Sequence, residues 1–500
     1  MYFVKLILIV FLWIEIDCKP RSSNSTLPLT NEILNRLYTE VLESDNADLV
    51  TDLLANAFGH HQSQQVDPLS QLSSSLNTLN NLASTLSSFK TVTPPMKPSN
   101  DSNWSDDPDA NRTTQEFILS RGFSYEDHYV TTKDGYILHL FRIINPYAEH
   151  ALGADNLHPV LLQHGLFATS SVWMLNSFDE KIIPWVHEQK SEMKGNSLAF
   201  LLSNSGYDVW LANNRGNSYS QNHTTLDPED DEFWDFTIDD MAMQDTSAVI
   251  DYIRYLTDKK ITVIGHSFGT TQVLALLSFA PHYSYYIDMF IALGPIGYFG
   301  NVKGPFGKLL DSSLALDIVG LYDGKFPPKI DRTIKNIFTS FCENPSLRVI
   351  CTAVFDMIGG MNPDKIDESR LGVYFNNIDY VSMKTVEHLF QAKESNIWRL
   401  FDHDEDTNND LYGYETPPKY PYSNIDLDKI ILISGLNDRI ASTDDVQQLR
   451  KKLKSKIFHD YIVSDKRWNH FDYIYGIDAG EQVNNYIVNV LTKYVEHYPL

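Results

Sequence analysis

Five hundred residues suit one large domain with insertions, or two to three smaller ones, and a chain that is 43% hydrophobic and 12% aromatic can bury a substantial core. The formal net charge of -25 argues against a nucleic-acid partner, whose phosphates call for a basic surface. The sequence carries no HExxH helix, no phosphate-binding glycine loop and no dinucleotide fingerprint, so no metal or organic cofactor is expected.

Residues 1–18 read as a secretory signal peptide: Lys5 supplies the charge, Leu6 to Ile14 the apolar stretch, and Cys18 a small residue near a cleavage point. The apolar stretch is shorter than a membrane span, and no other segment reaches that length. Sequons at Asn24, Asn100, Asn103, Asn111 and Asn222 agree with passage through the secretory pathway. Residues 19–115 form a Ser- and Asn-rich extension. Within it, Leu69, Leu72, Leu76, Leu79, Leu82, Leu86 and Phe89 recur at helical spacing, as do Ile33, Leu34, Leu37, Val41 and Leu42. Ser and Asn are poor helix formers, so such a stripe needs a surface to lie on. The extension reads either as a mobile leader that docks loosely or is trimmed, or as a helix for a lipid interface or self-association. His60-His61 lacks companion ligands. The stretch from Thr93 to Asn100, with three prolines, is the linker into the globular body.

Beyond Glu116 the pattern changes. Tyr125 to Thr132 and Tyr136 to Ile143 are strand-like, joined at Lys133-Asp134-Gly135. Pro159 to Gln163 is a buried strand that ends in the small-residue turn His164-Gly165-Leu166. A helical segment from Asn196 to Asn204 precedes a strand from Tyr207 to Ala212. Asp239 to Leu256 is an amphipathic helix, and further strands begin at Ile261 and Met289. Lys429 to Ser434 and Ile457 to Val463 are two more, and a last helix runs from about Glu481 to Glu496. This alternation means a mainly parallel sheet with helices on both faces, whose chemistry lies beyond the carboxyl ends of the strands. The core is divided into residues 116–295 and 426–500. Between them, residues 296–425 are largely helical, without a strong strand run, and read as a cap inserted over the site.

The run Ile261-Thr-Val-Ile-Gly265-His266-Ser267-Phe268-Gly269 passes from apolar strand to tight turn to apolar helix. It is the context of a nucleophile elbow, in which glycines let neighbouring backbone pass close and Ser267 is lifted above the sheet edge. A serine hydroxyl needs a base, and the base an orienting group, in the chain order Ser, Asp or Glu, His. Asp438 follows the strand ending at Ser434 and His470 the strand ending at Val463, so both fall at the same sheet edge as Ser267. His459 lies within a strand and His497 near the C-terminus, which makes them poorer bases; Asp472 and Asp465 are alternative carboxylates. The oxyanion donors are expected at the backbone N–H of Phe268 and of Leu166.

Of the three cysteines, Cys342 and Cys351 remain after signal removal and are either one disulfide or two buried thiols. The acidic run from Asp402 to Asp410 spaces oxygens as calcium loops do, but lacks the glycine and glutamate of an EF-hand, and reads as a solvated loop.

Taken together, Arg121 to Leu138, Gln163-His-Gly-Leu166, Gly206-Tyr-Asp-Val-Trp-Leu-Ala-Asn-Asn-Arg-Gly-Asn217, Phe233-Trp-Asp-Phe236, the elbow, Gly435-Leu-Asn-Asp438 and Trp468-Asn-His470 resemble the acid lipases, the family of gastric and lysosomal lipases. The resemblance covers roughly residues 116–500. It implies an α/β-hydrolase fold with an inserted helical cap, a triad at Ser267, Asp438 and His470, oxyanion donors at Leu166 and Phe268, and a cap disulfide between Cys342 and Cys351. It also implies hydrolysis of triacylglycerol or sterol esters without a cofactor, in a secreted or lysosomal protein. Three features depart from the family: Phe268 where glutamine is usual, an insertion at residues 178–195 that follows the oxyanion turn, and the N-terminal extension. The rival reading is a catalytically silent lipid-binding or structural protein on the same fold.

Overall fold

The computed structural model describes residues 107–177, 184, 195–311, 324–326, 335, 339, 340, 342–344 and 348–495. The signal segment, both leucine stripes, His60-His61, the sequons at Asn24, Asn100 and Asn103, most of the 178–195 insertion and His497 lie outside them. Asn111 is half-buried and Asn222 exposed. Among the described residues, no helix is long and apolar enough to cross a membrane.

Among the described residues there are ten strands: β1 (Ser124–Thr131), β2 (Ile137–Ile144), β3 (His158–Gln163), β4 (Tyr207–Leu211), β5 (Ile261–His266), β6 (Ile287–Leu293), β7 (Lys325–Phe326), β8 (Val381–Ser382), β9 (Ile430–Ser434) and β10 (Ile457–Ile462). Eight form one sheet in the order β1-β2-β4-β3-β5-β6-β9-β10. Pairing is antiparallel from β1 through β2 to β4 and parallel from β4 onward. Each of the eight begins within two residues of its expected start.

The central strands are apolar along their length because both faces are covered. Side chains alternate between the faces. Ile430 and Leu432 of β9 join one core, with Val263 and Phe290; Ile431 and Ile433 join the other, with Ile264 and Ile291. Helix α1 (Thr114–Ser120) opens on a capping box between Thr113 and Glu116. Helix α2 (Leu198–Asn204) covers the second core, and helices α3 (Ser247–Thr257) and α4 (Phe268–Phe279) cover the first.

The helix expected over Asp239–Leu256 is not uniform. It starts as one α-turn at Ile238–Asp240, widens to π geometry over Met241–Thr246, and becomes α3 only at Ser247. The widening coincides with polar anchoring: Thr246 Oγ1 donates to Met241 O and Gln272 Oε1, and Asp245 accepts from Arg215. The last helix is likewise widened over Gly480–Asn484 before α9 (Asn485–Tyr494), which packs on the second core.

Between β6 and β9 lie helices α5 (Arg348–Gly359), α6 (Met383–Ser395) and α7 (Glu405–Tyr412), with shorter helical turns; α8 (Thr443–Lys452) follows β9. Strands β7 and β8 pair antiparallel, a two-residue ladder too short to leave a periodic signal in the sequence. Cys342 and Cys351 are joined by a disulfide. The acidic run, read as a solvated loop, forms the start of α7. Asp404 caps it by accepting from the Thr407 N–H at 2.9 Å, and Asp402 accepts from Asn408 Nδ2 at 2.7 Å. Two acidic residues in the first turn of a helix complement its dipole, which the alternating composition concealed. Residues 107–115, placed in the extension by their composition, pack with the body: Asp109 is buried and accepts from Arg121 at 2.8 Å and Arg370 at 3.0 Å.

The closest backbone approach around the elbow is at Gly269, where a Cβ would lie 2.4 Å from Gln163 O and 2.7 Å from His164 O. Gly269→Ala is therefore expected to destabilise the protein by about 1–3 kcal/mol through overpacking. Gly413→Ala, at φ +76 with nothing within 4 Å, is a control that costs only the ~1 kcal/mol of a left-handed alanine. Urea unfolding midpoints compare the two; equal losses would contradict the close approach.

Candidate active site

Ser267 sits at φ 57, ψ -128, between the end of β5 and the first residue of α4. A side chain rarely adopts this backbone geometry, and it is held from both sides. The Ser267 N–H donates to Leu293 O at 3.0 Å, and the Thr270 N–H donates to Ser267 O at 2.8 Å. A Cβ on Gly265 would lie 3.1 Å from the Gly269 backbone, a tight contact, while one on Gly269 would lie 2.4 Å from Gln163 O, so the turn is crowded at 265 and closed to a side chain at 269.

Asp438 and His470 arrive on the loops after β9 and β10, parallel neighbours in the sheet. His470 Nδ1 lies 3.0 Å from each carboxylate oxygen of Asp438, and His470 Nε2 lies 2.8 Å from Ser267 Oγ. A ring nitrogen between two carboxylate oxygens carries its proton, which leaves Nε2 as acceptor for the serine hydroxyl. Asp438 Oδ1 also accepts from the Ile440 and Ala441 N–H groups at 3.0 and 2.8 Å. All three side chains are enclosed: Ser267 is 7% exposed, Asp438 and His470 2% each. Gly294 makes room for the pair, since a Cβ there would lie 3.2 Å from Asp438 Oδ2 and 3.3 Å from the His470 ring. His266 Nε2 donates to His470 O at 3.0 Å, and burial pushes the His266 imidazole down to about 3, so it stays a neutral donor.

The turn after β3 runs against the serine. A Cβ on Gly165 would lie 3.0 Å from Ser267 Cβ and 3.4 Å from Ser267 Oγ. The parallel register that pairs Gln163 with Gly265 brings the two turns to the same edge. Among the described residues, neither the Leu166 N–H nor the Phe268 N–H donates a hydrogen bond within the protein. His164 Nδ1 donates to Gly165 O at 2.7 Å, while its Nε2 accepts from the Asn214 N–H and Asn217 Nδ2, each at 3.2 Å. Gly165 C=O and Leu166 N–H belong to one planar peptide. The histidine therefore fixes the direction in which the Leu166 N–H points. Burial pushes His164 down to about 4, which keeps it in this neutral tautomer.

The alternative residues lie elsewhere. Asp472 Oδ2 accepts from the Asn469 N–H and Asn362 Nδ2 at 2.8 and 2.7 Å. Asp465 accepts from the Arg467 N–H, and His459 pairs with the Tyr486 hydroxyl. The Phe268 ring is 6% exposed and packs edge-on against Phe299 and Trp398, with centroids 5.3 and 6.1 Å away. Sequence reading passed over His164, Gly294, Asn214 and Asn217. For His164 the signal was present: a histidine that opens the turn His164-Gly165-Leu166 at the end of β3. Among the described residues no cluster of side chains is arranged to hold a metal ion.

Comparisons with known proteins identify the family. The family described as a partial alpha/beta-hydrolase lipase region matches residues 114–177, and the alpha/beta hydrolase fold matches residues 158–301. The chain is 33% identical over 396 residues to lipase member K of Homo sapiens, covering 78% of this chain and 93% of that protein. It is 33% identical over 394 residues to the lysosomal acid lipase/cholesteryl ester hydrolase of Homo sapiens, covering 78% and 92%. It is 33% identical over 392 residues to the gastric triacylglycerol lipase of Bos taurus, covering 77% and 92%. At this identity, over nearly the whole length of these relatives, the chain belongs to the acid lipase family of α/β hydrolases.

Proposed function

We propose that the chain is a secreted or endolysosomal serine lipase that hydrolyses triacylglycerol or sterol esters, with Ser267 as nucleophile, His470 as general base and Asp438 as its orienting carboxylate. The observation that carries this reading is the unbroken hydrogen-bonded line from Asp438 through His470 to Ser267 Oγ. The names of the human lysosomal and bovine gastric relatives support the substrate class. The apolar segment with Lys5 at the N-terminus and the sequons support the secretory route.

In the first step Ser267 Oγ bonds to the ester carbonyl carbon as its proton passes to His470 Nε2. The electron pair of the carbonyl collects on oxygen, where the Leu166 and Phe268 N–H groups stabilise it. Asp438 balances the imidazolium. Collapse expels the alcohol, which takes the proton from Nε2 and leaves an acyl group on Ser267. Water activated by His470 reverses the sequence and releases the fatty acid. These residues account for every proton and electron pair. Residues 296–425 serve as the cap, which keeps the acyl chain and the charged intermediate away from water.

Wild type and Ser267→Ala are to be compared on triacylglycerol, cholesteryl ester and short soluble esters, at acidic and neutral pH. Ser267→Ala is expected to lower kcat/KM about 10⁴-fold or more, and Asp438→Asn by roughly as much. Serine-dependent fatty-acid release from an emulsion establishes the lipase. Equal behaviour of both folded proteins, with no fluorophosphonate labelling at Ser267, would make this a silent lipid-binding protein.

His164 supplies a second test. His164→Ala leaves Gly165 O without its donor and is expected to lower kcat by up to about 10²-fold. His164→Asn, whose amide nitrogen takes the place of Nδ1, is expected to recover most of it. The histidine's folded pKa lies below its unfolded value of 6.5, at about 4. Its contribution to stability is therefore complete above pH 6.5 and lost as the pH falls through about 4. The Tm of the wild type should fall relative to that of His164→Asn across this interval. A constant Tm difference would show that His164 titrates normally.

A further inference from the structure

Helix α5 ends beside the reaction centre, and its last carbonyls are used in an unusual way. A helix leaves its final C=O groups without partners inside the helix. Here the two loops that carry Asp438 and His470 supply the partners. Gly359 O accepts both the His470 N–H at 3.2 Å and the Arg439 N–H at 3.1 Å. Asp356 O accepts from Arg439 Nη1 at 2.9 Å. The chain then turns at Gly360, at φ +124, and the same loops follow it. Asn469 Nδ2 donates to Gly360 O at 2.8 Å, and Asn437 Nδ2 donates to Met361 O at 2.8 Å. Asn362 Nδ2 donates to Asp472 Oδ2 at 2.7 Å. The approach is so close that a Cβ on Gly360 would lie 2.1 Å from Asn437 O and 3.0 Å from Asn469 Cβ.

Every residue flanking the acid–base pair in these contacts (Asn437 and Arg439 around Asp438, Asn469 and Asp472 around His470) is thus tied to one four-residue turn. That turn belongs to the segment between β6 and β9, outside the strands that deliver the two loops. Asp438 and His470 ride on separate loops, so the strands alone do not fix their separation. Asn437 links the two loops directly, its N–H donating to Trp468 O at 3.2 Å and its Nδ2 to Arg467 O at 3.0 Å, and the Gly359 carbonyl adds a tie between the residues at the acid and the base themselves.

We propose that the Gly359–Asn362 turn is the positioning element of the Asp438–His470 pair, so that the inserted segment sets the rate of the chemical step as well as access to it. The inference rests on the assignment of Ser267, His470 and Asp438 above. Its consequence is specific. Loosening the turn should impair hydrolysis of a short soluble ester, a substrate for which a cover over an apolar channel is immaterial. A base displaced by a fraction of an ångström loses rate without losing binding.

The test uses the full-length protein with Asn437→Ala and Asn362→Ala, singly and together; neither introduces a clash, and because Asn437 Nδ2 also donates to Arg467 O at 3.0 Å, Asn362→Ala on its own loosens the turn without breaking a bond between the loops. Gly360→Ala is the stronger variant, with a thermal melt to establish that it folds. On p-nitrophenyl butyrate the double variant is expected to lose kcat about 10- to 100-fold with KM within about twofold. Fluorophosphonate labelling of Ser267 should slow in parallel. The downfield proton resonance of His470 Nδ1–H, shared with Asp438, should shift or broaden. Unchanged kcat and labelling in the folded double variant would overturn the inference. So would a loss of kcat with an unchanged His470 resonance, which would place the effect elsewhere. Ser267→Ala and Asp438→Asn run alongside. If these keep turnover, the triad assignment falls and the inference with it; if they lose turnover while the turn variants do not, the positioning role alone falls.

Discussion

A serine can stand clear of a sheet edge only where a helix starts at the very end of a strand, and here that reversal depends on backbone meeting backbone at Gly269. The α-carbon of Gly269 lies against the carbonyls of Gln163 and His164, at the end of β3. One contact therefore bears on three things: the strained conformation of Ser267, the start of α4, and the distance between Ser267 and the turn after β3. The parallel pairing of β3 with β5 makes the contact possible, because it sends both chains out of the sheet at the same edge. The pairing of β6, β9 and β10 on the other side delivers Asp438 and His470 to that edge as well.

Around this frame Asp438, His470 and Ser267 form a buried polar line whose members are hydrogen-bonded to one another. A buried carboxylate is costly unless its oxygens are bonded. Asp438 has His470 Nδ1 and two backbone N–H groups. His164 and His266 never touch the serine hydroxyl. Each is held neutral by burial, and each spends one ring N–H on the backbone of a site residue, Gly165 in one case and His470 in the other. A histidine in such a place acts as a rigid donor and not as a base. The contrast with His470 is set by geometry: only its Nε2 faces a hydroxyl while Nδ1 faces a carboxylate.

The parts of this arrangement that were legible in the sequence follow from local rules. The parallel strands read as short apolar runs because both faces are buried, and Asp438 and His470 read as site candidates because each follows such a run. Other features depend on partners far away in sequence, which no window reveals. The π widening at Met241–Thr246 answers to Gln272 and Arg215. The start of α7 looked like a loop because its helical content lies in capping and dipole complementarity, not in an apolar stripe. Phe268 departs from the glutamine usual in the family, and the meaning of the change lies far along the chain, in Phe299 and Trp398. An aromatic ring there ties the first turn of α4 to the segment that follows β6, and the change of side chain leaves the backbone N–H of the same residue in place.

The relation between the inserted segment and the core is best judged by asking what each would lose alone. Helix α5 without the two loops would end in orphan carbonyls. The loops without α5 and the turn that follows it would leave the His470 and Arg439 N–H groups and the Asn469 amide without these partners, while Asn437 Nδ2 would keep Arg467 O. An unsatisfied buried polar group costs about 1–3 kcal/mol, and several are at stake together. Separation is therefore unfavourable from both sides, before any apolar contact is counted. A segment held only by apolar packing could slide while leaving Asp438, His470 and Ser267 in place. One held through the Gly359 carbonyl, which accepts the His470 N–H, cannot move at this end without moving His470.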